Sequence, residues 1–171
     1  MKKITLIVSM ITLCVGFTST ALAQVTASAP TNATVVAPIA IAKTVDMNFG
    51  NVAVSATAGT VVLAPDSGRT TTLGTTLPAT PGTVTAAQFT VTGESGYTYV
   101  ITLPTADFTI TKATTLETMI VNAFTSTPTG TGTLTAGTET ILVGATLNVG
   151  VSQVAGLYTN ATGFDVTVNY N

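Results

Sequence analysis

Histidine and tryptophan are absent from this 171-residue chain, cysteine occurs once, and only 7% of residues are charged. Without histidine there is no Ser-His-Asp chemistry, no imidazole metal ligand and no side chain that ordinarily titrates near neutral pH. The single thiol, Cys14, lies in an apolar N-terminal run. Lipid attachment there would need a small residue just before it, where Leu13 stands. Basic residues number five, two of them Lys2 and Lys3, so a phosphate-tracking surface cannot be assembled and nucleic acid is excluded as a partner. Anionic membrane surfaces are disfavoured on the same ground.

The first 23 residues have the order of a secretory signal peptide. Lys2 and Lys3 lead, Ile4 to Phe17 is apolar, and Ala21-Leu22-Ala23 stands before Gln24. Cleavage between Ala23 and Gln24 is expected, and no membrane span is expected in the chain that remains. That chain would have no thiol, hence no disulfide in an oxidising compartment. It would keep Lys43, Arg69 and Lys112 against seven acidic residues, a formal charge of −4. The expected location is beyond the inner membrane: periplasm, cell surface or extracellular space.

What is abundant is threonine, at 40 positions. With valine and isoleucine it favours pleated, half-buried surfaces, because a branched Cβ packs well there and loses rotamer freedom in a helix. Period-two alternation marks Ile39 and Ile41, then Val45, Met47 and Phe49, then Phe89 and Val91. It returns at Tyr97, Tyr99, Ile101 and Leu103, at Phe108 and Ile110, and at Ile141, Val143, Ala145, Leu147 and Val149. A final run carries Phe164, Val166, Val168 and Tyr170. Turn signals fall between these runs at Gly50-Asn51, Pro65-Asp66-Ser67-Gly68, Gly93-Glu94-Ser95-Gly96 and Pro104-Thr105. Ala113 to Phe124 has some helical spacing, but its β-branched content favours a strand. Thr125 to Gly137, rich in Thr, Gly and Pro, is expected to be a long loop or hairpin tip. The pattern predicts an all-β, antiparallel, immunoglobulin-like β-sandwich over residues 34–171, after the signal-peptide helix (1–23) and an N-terminal extension (24–33).

Chemistry-bearing constellations are sparse. Asp46, Asp66, Glu94, Asp107, Glu117, Glu139 and Asp165 are the only carboxylates, and most sit in turns or beside strand residues, where they keep edges soluble. Asp46-Met47-Asn48 and Asp66-Ser67-Gly68 lack the dense spacing of a calcium loop. The expectation is therefore no catalytic residues, no cofactor and no metal. Thr-x-Thr pairs recur at no fixed interval, which argues against a flat ice-binding array.

Three stretches carry a resemblance: TVVAPIAIAKTVDMNFGNV (34–52), FTVTGESGYTYVITLP in the middle, and LVGATLNVGVSQVAGLYTNATGFDVTVNYN (142–171). Together they resemble the bacterial exported family DUF4402, whose function is not established. The Phe49-Gly50 pair and the Gly156-x-Tyr158 motif with its terminal strand are also similar to spore-coat-U-like pilins of chaperone–usher systems. That likeness implies an incomplete sandwich completed by a strand from a neighbour. Phe164, Val166, Val168 and Tyr170 would then form the receiving edge and Gln24–Pro30 the donor, with a periplasmic chaperone and an usher as partners. The expected function is a structural subunit or surface module of the envelope, in its specific form a pilus or fimbrial subunit, self-associating or bound to another envelope protein. The alternative is a secreted glycan- or protein-binding sandwich module using Tyr97, Tyr99 and Tyr158. N-terminal sequencing of the exported protein should begin at Gln24; a chain that still began at Met1 would refute the processing.

Overall fold

The computed structural model describes residues 24–171, so the expected signal peptide, with Ala23 at its expected cleavage point, lies outside the described residues. The chain divides into two units at Thr34/Val35. In the first, the described residues 24–34 are exposed and form no strand. The second is an all-β antiparallel sandwich, as the patterning predicts, with no helix among the described residues.

Eleven strands make it up: β1 (Ala40–Val45), β2 (Ala53–Leu63), β3 (Arg69–Thr76), β4 (Ala87–Thr92), β5 (Thr98–Thr102), β6 (Phe108–Lys112), β7 (Thr118–Thr127), β8 (Thr131–Thr133), β9 (Thr138–Val149), β10 (Tyr158–Thr159) and β11 (Thr167–Tyr170). An eight-stranded sheet runs β1-β4-β9-β7-β6-β10, with β2 also on β9 and β3 on β2. The second sheet is β11-β5-β8.

The organising element is β9. Its residues Ile141, Val143, Ala145, Leu147 and Val149 alternate and are buried. Two cores share them: Ile141 and Val143 pack with Phe89, Val91, Tyr99, Ile101, Leu134, Val166 and Val168. Ala145, Leu147 and Val149 pack with Val61 and Val121. On one side β9 pairs with β7. On the other it pairs with β4 up to Val143 and with β2 from Ala145 onward, so one long strand exchanges neighbours at Gly144.

Gly144 is required there by space. A Cβ on it would lie 2.2 Å from the Leu63 carbonyl oxygen and 2.8 Å from the Ala64 carbonyl carbon, both backbone atoms that cannot swing aside. Opposite Gly144, β7 slips register between Asn122 and Thr125, and Ala123 takes a positive φ of 49°. Such a bulge bends and twists its strand.

The Asn48-Phe49-Gly50 motif has a similar explanation. Asn48 bridges to Thr85, and its Oδ1 accepts from the Gly50 N–H at 2.8 Å. Gly50 has φ 67°, and a Cβ there would meet the Pro81 oxygen at 2.3 Å. Arg69 Nη1 then donates to the carbonyls of Phe49 and Asn51.

Thr125–Gly137 departs from the expected loop. β7 continues to Thr127, and β8 pairs with β5 within the same stretch. Threonine supplies the extended backbone, and Gly132 lets the Tyr99 ring and the Glu139 carboxylate approach to where a Cβ would stand. The β2–β3 hairpin was not legible in the apolar pattern, because Ala53–Ala58 and half of β3 face solvent. Gly144→Ala should lower unfolding stability by about 1–3 kcal/mol, the usual cost of overpacking, and toward the upper end because the atoms it meets are backbone. Urea denaturation of variant and parent measures it; an unchanged midpoint would contradict the handover at Gly144.

Candidate functional site

β11 forms because its residues alternate. Val166 and Val168 are buried, Asp165, Thr167 and Asn169 are exposed, and Tyr170 is half-buried. It pairs antiparallel with β5 through Thr167↔Thr102, Val168↔Ile101, Asn169↔Val100 and Tyr170↔Tyr99. The Asn171 N–H donates to the Thr98 carbonyl, so by alternation the amides of Asn169 and Thr167 also turn toward β5. Those of Val168 and Tyr170 turn the other way. No strand of the described residues pairs with that side of β11.

The remaining edges are short or interrupted. β10 has two residues and β8 three. β1 slips register between Lys43 and Val45, and Lys43 forms a surface ion pair with Asp46. β3 pairs around an irregularity in which Leu73 has φ 50°. Charge, bulges and brevity are the usual defences of an exposed edge. β11 has neither a charge nor a proline within it.

Beside this edge the first core is incompletely covered: Ile39, Ile41, Leu103, Phe164 and Tyr170 pack against it only half-buried. The Phe164 ring joins the two cores, with centroids 4.8 Å from Phe124, 6.1 Å from Phe108 and 6.2 Å from Phe89. Next to it a shallow recess of about 420 Å³ is floored by Leu103, Pro104, Phe108 and Phe164, with Asp107 and Asp165 on its rim.

At the other end stands Tyr170. Its Oη accepts from the Glu94 N–H at 2.6 Å and donates to the Ala37 carbonyl at 2.9 Å. The Glu94 Oε2 in turn accepts from the Ala37 N–H at 3.0 Å. The Tyr97 ring stacks edge-on against Tyr170, centroids 5.7 Å apart.

Of the four residues Phe164, Val166, Val168 and Tyr170, Val168 and Tyr170 lie in β11 at a sheet edge, while Phe164 and Val166 lie in the irregular segment that leads into it. The structure does not gather Tyr97, Tyr99 and Tyr158. Tyr97 precedes β5 and is 45% exposed, while Tyr99 is wholly buried and donates to Glu139 Oε2 at 2.8 Å. Burial, and then the hydrogen bond and charge of Glu139, push the Tyr99 phenol far above its ordinary pKa. Tyr158 lies in the other sheet, where its Oη donates to the Val154 carbonyl at 2.7 Å and accepts from Gln153 Nε2 at 2.9 Å. The motif Gly156-x-Tyr158 is a loop anchor: Gly156 has φ 151°, and the Lys112 stem covers it at 2.5 Å from a built Cβ.

Among the described residues no three His, Cys, Asp or Glu side chains meet in a metal-holding group. Asp107 Oδ1 accepts from Asn122 Nδ2, a bond that ties a turn to β7 rather than activating a nucleophile. Gln24 and the rest of Gln24–Pro30 are exposed, with Val25 91% accessible. Sequence reasoning missed the two-sided hydrogen bonding of Tyr170; the only signal for it was a tyrosine at the end of an alternating strand.

A family model described as Domain of unknown function (DUF4402) matches residues 39–170. No curated protein and no solved structure matches the chain. Truncating Phe164 to Ala should cost about 2–4 kcal/mol, since three aromatic rings lose a half-buried partner. Thermal or urea unfolding reads the loss, and a change under about 1 kcal/mol, close to the range of surface substitutions, would contradict the ring's joining role.

Proposed function

The chain belongs to the DUF4402 family, and from the geometry of its second sheet we propose that it is an exported structural subunit of the bacterial envelope that assembles by strand addition at β11. The observation that carries this reading is the unpaired, uncharged outer edge of β11 beside a half-covered core. An added strand would satisfy the outward amides of Val168 and Tyr170 and cover Ile39, Ile41 and Phe164. Main-chain hydrogen bonds supply affinity in this mode, and alternate side chains supply specificity.

The donor is Gln24–Pro30 of a neighbouring copy, whose Val25, Ala27 and Ala29 alternate. In this role the protein is a pilus- or fimbria-like subunit. A periplasmic chaperone would shield the edge before assembly and an outer-membrane usher would pass subunits on. The low charge content supports close packing between copies, because few ions need to be desolvated at each contact.

Electron microscopy of material sheared from the cell surface should show filaments containing this protein. Deleting Gln24–Pro30 should leave the exported chain monomeric with its thermal stability unchanged. Recovery of the wild-type protein only as a freely diffusing monomer would overturn the reading.

A further inference from the structure

Both backbone polar groups of Ala37 are held by side chains: its N–H by Glu94 and its carbonyl by Tyr170. Such double bracketing of one exposed residue outside any strand fixes where the chain enters β1. We infer that this clamp commits the N-terminal arm to β11 of a second copy rather than to the β11 of its own chain. The inference rests on the strand-addition reading above.

Directions along the edge carry the argument. β1 begins opposite Thr92, at the end of β4 nearest Glu94, and Tyr170 reaches the same place. Toward its other end β1 sets Lys43 opposite Phe89, whose ring contacts Phe164. β1 and β11 therefore run in opposite directions along the mouth of the sandwich. An arm returning to its own β11 must reverse direction just before β1.

The residues at that point resist reversal. Ala37 precedes Pro38, which restricts it to extended backbone. Val35 and Val36 are β-branched and favour extended conformations. Neither Ala37 polar group is free to close a turn. Three extended residues carry the chain about 10 Å beyond the clamp at roughly 3.3 Å each, and a return consumes as many again plus a turn. Only about five residues, Gln24–Ser28, then remain to lie on the chain's own edge, whereas a second copy can receive the whole donor segment.

The clamp matters because self-pairing otherwise has the advantage. A tethered segment has an effective concentration in the millimolar range, above that of free neighbours, unless geometry forbids its engagement. Removing the Tyr170 hydroxyl or the Glu94 carboxylate frees one polar group of Ala37 and permits the reversal at residues 35–38.

The chain from Gln24 onward has no cysteine, so engineered thiols report cleanly. Ala29→Cys marks the arm and Asn169→Cys the exposed face of β11, bridged by a short bis-maleimide. In the otherwise wild-type double variant, products should be dimers and higher multimers, and a mixture of the two single variants should crosslink between chains. Adding Tyr170→Phe, which keeps the ring against Tyr97, or separately Glu94→Ala, should raise the internally bridged monomer about two- to tenfold, the range that loss of one ordinary hydrogen bond allows. Circular dichroism verifies that each variant is folded. An unchanged partition in both folded variants, or internal bridging already dominant with the clamp intact, would overturn the clamp and leave strand addition standing. Absence of any arm-to-β11 crosslink in every background would overturn strand addition itself.

Discussion

Everything in the second unit hangs on the one-faced burial of β9. Five apolar side chains on alternate positions from Ile141 to Val149 face inward, so a single strand supports two cores. Burying them is favourable at about 25 cal/mol per Å² of apolar surface, but only if both flanks of the strand are hydrogen-bonded. β7 satisfies one flank, and β4 and β2 divide the other at Gly144. The close approach of the Leu63 and Ala64 backbone at that glycine makes the division possible. Beside it lie the register slip of β7 and the Phe164 ring that joins the two cores.

The consequence is an unequal pair of layers. The large sheet is extensive and its edges are interrupted or short, while the opposing sheet has only β11, β5 and β8. Val166, Val168, Ile101, Tyr99 and Leu134 seal the centre of the first core. The side toward β1 is bridged mainly by the Tyr170 hydroxyl rather than by a paired strand. A half-buried row of apolar residues is costly to leave in water, and a further strand would cover it while its carbonyls replace water as partners of the outward amides. The proposed function is accordingly that of an edge rather than of a cleft.

Much of the fold was legible because alternation is a direct image of one-faced burial. The runs at Phe89–Val91, Tyr99–Ile101, Phe108–Ile110 and Ile141–Val149 are strands, and the terminal run is the sheet edge. The β2–β3 arm escaped because its exposed half carries Ala, Ser and Thr on both faces, leaving no periodic apolar signal. β8 escaped because its inward positions are Gly132 and, beyond the strand, Leu134, with glycine present to admit the Tyr99 ring. Tyr97 and Tyr99 share sequence parity but not surroundings, since β5 starts only at Thr98 and leaves Tyr97 in the turn after Gly96, which has φ 82°. The clamp on Ala37 joins residues more than 50 positions apart and has no local signature.

The most direct measurement of the central claim is amide hydrogen exchange at β11, compared between dissociated subunits and the assembled form. The Val168 and Tyr170 amides, which turn toward the open side, should exchange rapidly in dissociated subunits and become protected on assembly. Those of Thr167 and Asn169, already bonded toward β5, should change little. Equal protection of Val168 and Tyr170 in both states would contradict strand addition at this edge.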